Sequence, residues 1–321
     1  MAIMPFNQLA CPLDGEPLQR ESNTWRCSKG HSFDVARQGY VNLLPVQNKR
    51  SRDPGDSKAM VVARQEFLAA GFYQPIAQAV AGLMLNGVTS SATLNCLDAG
   101  CGEGYYLRQL AAHSQPEQTL NLIGLDISKW AVQAAARQDR YVQYPEAAST
   151  SVREAEPVSG AGTRNVSWAV GNNANLPVLS ATLDRILCMF GFPVYPEFLR
   201  VLKPGGKLLM VDAGADHLRE LREIIYPTLK PARPPQNQAP AGFVMRDIQQ
   251  LRFSVRLPDA KQIGNLLVMT PHLYRASAEG RARAEQLTEL QVTVDVRLTA
   301  LTKDPVTADP CLLYTSPSPR D

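Results

Sequence analysis

The sequence predicts an α/β protein: a parallel sheet carries the working site, and a small cysteine-bearing module precedes it. Three observations predict this. The first is Leu97-Asp98-Ala99-Gly100-Cys101-Gly102-Glu103-Gly104-Tyr105-Tyr106, where an apolar run from Ala92 ends in an acid, passes three alternate glycines and opens into a helical pattern. Such a strand, glycine turn and helix N-terminus offers backbone N–H groups and partial positive charge to a nucleotide at the carboxyl edge of a parallel sheet. The second is a succession of short apolar runs, Asn121 to Asp126, Val166 to Val170 and Leu183 to Phe190, with a helical pattern from Trp130 to Arg137 among them. The third is a pair of knuckles near the N-terminus, Cys11-x2-Asp14 and Cys27-x3-His31, twelve residues apart.

A chain of 321 residues suggests about two domains. At 45% hydrophobic and 20% charged residues, the composition is that of a soluble globular protein. No apolar run reaches about 18 residues, so no membrane span is expected. The N-terminus lacks a basic-then-apolar leader, and a cytoplasmic location is the default expectation. A net charge of +3 neither demands nor excludes a nucleic-acid partner. The six cysteines (11, 27, 96, 101, 188 and 311) form no regular framework and read as thiols or metal ligands.

In chain order, residues 1–45 form the expected N-terminal module. Two knuckles about a dozen residues apart are how a zinc ribbon brings four ligands into a tetrahedron. The candidate metal ligands are Cys11, Asp14, Cys27 and His31. Asp14 stands where a cysteine is usual, and its carboxylate is a harder ligand than a thiolate. The alternative is a metal-free ribbon held by Trp25, Phe33 and Tyr40. Residues 46–90 read as connector and helical lead-in. Gly39 to Gln47 is a short strand closed by a turn, and Asn48 to Ser57 is turn-rich. From Arg37 to Arg52 there are four basic residues and no acid, which suits either a solvated linker or a phosphate-contacting surface. Residues 58 to 86 read as helix, broken at Gly71.

Residues 91–310 hold the sheet. Leu94 to Asp98 is its first strand, and Tyr105 to Ala112 the helix after it. Asp126 ends the next strand, 22 residues beyond Gly104, where an acid can accept both hydroxyls of a ribose. Ser128 is a candidate N-cap for the helix that follows. Gln143 to Asn165 is a Ser/Ala/Gly-rich insert without periodicity. Asn172 or Asn173, on the turn after the third strand, offers an amide that is both donor and acceptor, or else simply shapes an Asn-rich turn. Gly191-Phe192-Pro193 turns over the expected reaction centre. A helix, Pro204-Gly205-Gly206 and a fifth strand follow. Phe253 to Leu257 and Val292 to Leu301 alternate as an antiparallel edge pair, with Ile263 to Met269 and Glu279 to Leu290 helical between them. Residues 311–321 have no core pattern, resemble a translated transposon-end sequencing adapter, and are excluded from fold reasoning.

The acid-x-Gly-x-Gly-x-Gly pattern of Asp98 to Gly104 resembles motif I of class I S-adenosylmethionine (SAM) methyltransferases, and Leu202-Lys-Pro-Gly-Gly206 resembles their entry to the fifth strand. The fold class is therefore a Rossmann-like class I methyltransferase sheet with a small zinc-ribbon-like domain. A closer match follows from the ribbon, Phe33-Asp34, Gly39-Tyr-Val-Asn-Leu-Leu-Pro-Val-Gln47, Lys49 to Ser57, Gly71-x-Tyr73-x-Pro75, the glycine turn with Tyr105-Tyr106, His217-Leu218 and Met269-Thr-Pro271. Together these resemble the bacterial 23S ribosomal RNA guanine-N1 methyltransferases, of the guanine(745)-N(1) type. The resemblance implies SAM contacts at Tyr73, Gly102, Glu103 and His217, and metal ligands at Cys11, Cys27 and His31. It also implies a domain II hairpin of 23S rRNA as substrate, and a homodimer whose ribbons help to hold the RNA.

The expected cofactor set is SAM, held by Tyr73, Asp98, Gly100, Gly102, Glu103, Gly104, Asp126, Asn172, Asn173 and His217, together with structural zinc. Transfer to guanine N1 needs removal of its proton. The sequence identifies no base; Phe192, Pro193 and His217 lie nearest to the centre by topology. Phe192, Tyr195 or Tyr226 could stack on the base. Two other readings stand beside this one: a SAM enzyme for a small aromatic or lipid-like acceptor, and an RNA-binding module with a decayed SAM site.

Overall fold

The computed structural model describes residues 2–48, 51, 53–89, 91–143, 166–229 and 237–305. The insert beyond Gln143, three basic residues of the connector (Lys49, Arg50 and Arg52) and the C-terminal tail from 306 lie outside them. In chain order the strands are β1 (Ala2–Pro5), β2 (Gln19–Glu21), β3 (Thr24–Arg26), β4 (Ser32–Asp34) and β5 (Tyr40–Asn42), followed by helices α1 (Lys58–Ala69) and α2 (Gln74–Leu85). Next come β6 (Thr93–Ala99), α3 (Tyr105–His113), β7 (Thr119–Asp126), α4 (Lys129–Gln143), β8 (Ser167–Val170) and β9 (Leu183–Met189). The chain continues with α5 (Tyr195–Val201), β10 (Leu202–Ala213), α6 (Arg219–Ile225), β11 (Phe243–Leu257), α7 (Ala260–Val268), α8 (His272–Arg275), α9 (Ala278–Glu285) and β12 (Leu290–Lys303).

The large sheet runs β11-β12-β10-β9-β6-β7-β8-β5. From β10 to β5 all neighbours are parallel; β12 joins β10, and β11 joins β12, antiparallel. The antiparallel edge is as expected, and longer than the period-2 pattern indicated. Pro204 to Gly206 is not a free turn before the fifth strand. β10 already pairs at Leu202 with Leu183, and its register shifts between Leu202 and Lys207, so the prolyl-glycyl step is an irregularity inside the strand.

β1 pairs with Thr119 to Leu122 of β7, while β8 takes the same edge from Ile123 to Asp126. The Ser167 hydroxyl donates to the Phe6 carbonyl at 2.8 Å, where the two strands meet. The ribbon therefore leaves and re-enters the large sheet, through β1 before it and β5 after it. Its own antiparallel β2-β3-β4 sheet lies between these two anchors. Leu18, Trp25 and Cys27 of the ribbon are buried in one cluster with Leu97, Ile123, Ile186 and Phe198. The opposite sheet face carries α1 to α4, α6 and α7, with Phe67, Ile76, Leu107, Val132, Leu221 and Leu266 in its core.

Local chemistry explains the helix boundaries that frame the site. The Ser57 hydroxyl caps α1 by accepting from Met60 N, and the Ser128 hydroxyl accepts from Ala131 N at the start of α4. No single helix among the described residues is long and apolar enough to cross a membrane; α1 and α2 meet at 85°.

Candidate active site and metal centre

The glycine turn sits between β6 and α3 at the carboxyl edge of the sheet. Gly104 has φ of +83°, and a Cβ there would stand 2.4 Å from the ring of Trp168. A side chain at this position is thus opposed by both backbone and packing. The turn is pinned to the neighbouring strand, because Gly100 N and Cys101 N both donate to the Leu125 carbonyl. Gly102 N donates to Asp126 Oδ2 at 2.9 Å, and Ser128 N to Asp126 Oδ1 at 2.8 Å. The Asp126 carboxylate is thereby fixed in orientation at the end of β7, with lone pairs left for further donors.

A cleft of about 430 Å³ opens above this edge. Of the predicted cofactor residues, Gly100, Gly102, Glu103, Asp126, Asn172 and Asn173 line it, as does Phe192 of the predicted reaction turn. The Glu103 carboxylate is buried and taken by Arg108 at 2.6 Å and by Gln138. The two asparagines differ. Asn172 Oδ1 accepts from Ala174 N inside its own turn. Asn173 donates to the Ala99 carbonyl at 3.3 Å and keeps a buried, unpartnered Oδ1.

Asp98, Gly104, Tyr73 and His217 lie behind the cleft wall. Asp98 is fully buried, and neither carboxylate oxygen has a hydrogen-bond partner. Burial, and then the neighbouring charge of Asp126, push its pKa up to about 8. A buried, unsatisfied carboxyl is costly, and a cationic ligand group nearby would relieve that cost. His217 Nδ1 accepts from Asp295 N at 3.3 Å, which leaves the proton on Nε2, 3.4 Å from the Tyr73 hydroxyl. Burial lowers the His217 pKa to about 4. Its free lone pair is already used, so it is poorly placed to act as a base. The rings of Phe190 and His217 are 5.6 Å apart. Phe190 (φ +47°) and Leu218 (φ +53°) are both left-handed, a strained state for such side chains that concentrates at functional sites.

Two charged residues reach the cleft that the sequence did not single out, Arg64 and Asp56. Arg64 on α1 is the cationic side chain that lines it among the described residues. Its Nη1 donates to Asp56 Oδ2 and its Nη2 to the Met269 carbonyl at 3.0 Å. Asp56 belongs to a strap that crosses the β7-α4 turn. The Ser128 hydroxyl donates to the Asp56 carbonyl at 2.7 Å, and Trp130 Nε1 to Asp53 Oδ2 at 2.9 Å. Tyr106, next along the turn, lies in the field of Tyr73, Asp98 and Arg64. The signal for Arg64 was a cation set inside the apolar run of α1. For Asp53 and Asp56 it was acids inside a segment read for its basic residues.

The predicted stacking aromatics separate. Phe192 is 90% exposed at the mouth of the cleft. Tyr195 and Pro193 line a second recess. The Tyr226 hydroxyl is bonded to His272 Nδ1 at 2.8 Å, away from both.

The metal centre is assembled by two similar knuckles. Each closes on a left-handed glycine, with Gly15 N donating to the Cys11 carbonyl and Gly30 N to the Cys27 carbonyl. The four predicted ligands converge, their donor atoms all within 4.8 Å of one another. Cys11 Sγ and Cys27 Sγ are 3.5 and 3.4 Å from His31 Nδ1, and Asp14 Oδ2 is 3.6 Å from Cys27 Sγ and 3.0 Å from His31 Nδ1. Tetrahedral zinc with such ligands has edges of about 3.3–3.8 Å. The donor set suits zinc, Asp14 included; three of the four separations match those edges and the Asp14–His31 one is shorter.

The ribbon docks on the rim of the cleft. Asn175 Nδ2 donates to the Pro12 carbonyl at 3.1 Å, and Ala10 N to the Pro177 carbonyl, both on the segment that follows Asn172 and Asn173.

Residues 9–52 match the family model described as "RlmA, N-terminal", and residues 97–210 match "Methyltransferase domain". A Streptomyces fradiae protein named 23S rRNA (guanine(748)-N(1))-methyltransferase is 32% identical, covering 91% of this chain and 95% of its own. A Micromonospora griseorubida protein, named provisionally for 23S rRNA (guanine-N(1)-) methylation, is 36% identical over 66% of this chain and 68% of its own. Bacillus subtilis YxjB, with the same kind of name, is 27% identical over 91% and 95%. The chain belongs to the 23S rRNA (guanine-N1) methyltransferase family, SAM-dependent enzymes built from a class I methyltransferase domain and an N-terminal zinc ribbon.

Proposed function

We propose that this protein methylates N1 of one guanine in a hairpin of 23S rRNA. The observation that carries the reading is the docking of a metal ribbon against the turn that walls the cleft, at Pro12 and Asn175. This puts an RNA-gripping element beside the methyl donor, an arrangement a small-molecule enzyme does not need.

SAM supplies a methyl already activated by the sulfonium, so the protein mainly has to hold and align the partners. The turn from Gly100 to Gly104 gives main-chain approach. Asp126 accepts from the ribose, and Asn173 Oδ1 accepts from the adenine amino group. Arg64 pairs with the carboxylate of the methionine moiety, releasing Asp56. Asp98 answers the cationic end of the ligand. Tyr73 and His217 support the wall behind it, and Phe192 stands at the mouth of the cleft. A guanine within a stem has to leave the stack before N1 can be reached. Cys11, Asp14, Cys27 and His31 hold zinc and keep the ribbon's shape. A homodimer would present two ribbons to one RNA.

The test is tritiated SAM with 23S rRNA from a strain that lacks the modification, followed by primer extension. Label at a single guanine supports the reading, and the stop shows whether the target follows the guanine(748) named for the Streptomyces relative or the guanine(745) type. SAM binding with no label in RNA would sink it.

A further inference from the structure

Beside the cleft lies a second and larger recess, of about 630 Å³, on the sheet face that carries α5. The turn after β9 is the wall between the two. Gly191, Phe192 and Val194 face the cleft, while Pro193 and Tyr195 face the recess. Its floor is a row across three strands, because Asp212 of β10 lies opposite Arg297 of β12, which lies opposite Gln250 of β11. Asp212 is one residue beyond Val211, which pairs with Met189 at the end of β9, and so sits at the same sheet edge as the cleft.

We propose that this recess receives the target guanine, with Asp212 taking the N1 proton and Arg297 holding O6. The inference rests on the function proposed above and supplies the base that the sequence left unidentified. Guanine presents N1–H beside O6, a donor next to an acceptor. A carboxylate beside a guanidinium is the complement of that edge. Adenine has a lone pair at N1 and an amino group beside it, and would meet Asp212 and Arg297 with the wrong polarity. As N1–H is lost, negative charge spreads onto O6, where the guanidinium stabilises it.

Two other acids at this edge are committed: Asp126 is held by two amides, and Asp98 is inaccessible. Among the described residues, no hydrogen bond or ion pair engages the Asp212 carboxylate. Arg297 is oriented by Asn237, whose Oδ1 accepts from Nη2 at 3.0 Å. The surrounding protein raises the pKa of Asp212 against the pull of Arg297, which brings it nearer to a working base. In the step, the N1–H bond breaks and its proton goes to Asp212. The N1 pair takes the methyl, the carbon–sulfur bond breaks with its electron pair staying on sulfur, and Asp212 passes its proton to water.

The experiment is single-turnover transfer to modification-free 23S rRNA by the full chain. Asp212→Asn should lower the rate by at least ~100-fold, with SAM affinity by calorimetry within twofold of wild type and the melting temperature retained. Asp212→Glu should recover part of the rate. The wild-type rate should rise with unit slope on the acid side and then level off, and Asp212→Asn should lose that limb. The groups facing Asp212 are Arg297, Tyr195 and Cys188. Burial raises both the Tyr195 phenol and the Cys188 thiol, so the acid limb is not theirs. Arg297→Met should slow transfer and Arg297→Lys restore part of it, which keeps the test open if Asp212→Asn misfolds. A folded Asp212→Asn enzyme within threefold of the wild-type rate would overturn the recess assignment and leave the proposed function standing. Wild-type protein that labels no guanine would remove both.

Discussion

Asp14 Oδ2 stands 3.0 Å from His31 Nδ1, and both face the thiols of Cys11 and Cys27. The aspartate converges with the other three donors, all within 4.8 Å of one another. It carries one negative charge, as the thiolate it replaces would, so the charge of a zinc-loaded site is preserved. Protein purified without chelators should therefore hold about one zinc per chain by elemental analysis. Asp14→Ala should lose most of that zinc and melt earlier, whereas Asp14→Cys should keep it. Zinc content unchanged in Asp14→Ala would remove the aspartate from the ligand set.

Arg64 is held by Asp56 and by the Met269 carbonyl on one wall of the cleft. If it pairs with the ligand carboxylate, Arg64→Ala should weaken SAM binding by at least about tenfold, in keeping with about 1.5–3 kcal/mol for a charged hydrogen bond. Asp56→Asn should weaken it less or even tighten it, since a competitor is removed. Equal losses from both variants in calorimetry would mean that the strap, rather than the arginine, holds the ligand.

Burial, and then the charge of Asp126, push the Asp98 carboxyl from the usual carboxylate range up to about 8. The folded chain therefore binds more protons than the unfolded chain across that range, and stability falls as pH rises from about 4 to about 8. Each such unit is worth up to about 1.4 kcal/mol. Asp98→Asn should thus be more stable than wild type, by a margin that grows from pH 5 to pH 8 in thermal melts, and should bind SAM more weakly. Parallel melting curves across that range would contradict the assignment.

His217 and His272 are both held near 4, mainly by burial. The unfolded chain takes up their protons first, so their contribution to stability is full above about 6.5 and is lost as pH falls towards about 4. His217→Gln should remove only part of this acid sensitivity, since His272 retains the rest. His217→Ala should raise the SAM dissociation constant more than it lowers the rate at saturating SAM. Unchanged SAM affinity with lost turnover would reverse that order and make His217 part of the chemistry.

Much of the sheet is legible in the sequence because its strands are buried runs ending in glycines or acids, from Leu94 to Asp98, Asn121 to Asp126 and Leu183 to Phe190. The edge pair β11-β12 is legible by its alternation, although only in part. β1 is not legible, since Ala2–Pro5 has only partly buried or exposed positions and its pairing with β7 is set by contacts more than a hundred residues away. α6 is short and begins after the left-handed Leu218, so no cap or period announced it.

By itself the sequence determined the chemistry on offer: a glycine turn with an acid on either side, four metal-ligating groups at ribbon spacing, and a sheet to carry them. Each depends on local residue types at short spacing. The tertiary structure decided how those parts face one another. It set the ribbon on the rim of the cleft, brought Arg64 in from α1, turned the Glu103 carboxylate away, and placed Asp212 opposite Arg297. Those relations depend on register and packing between distant segments, which short-range pattern does not encode.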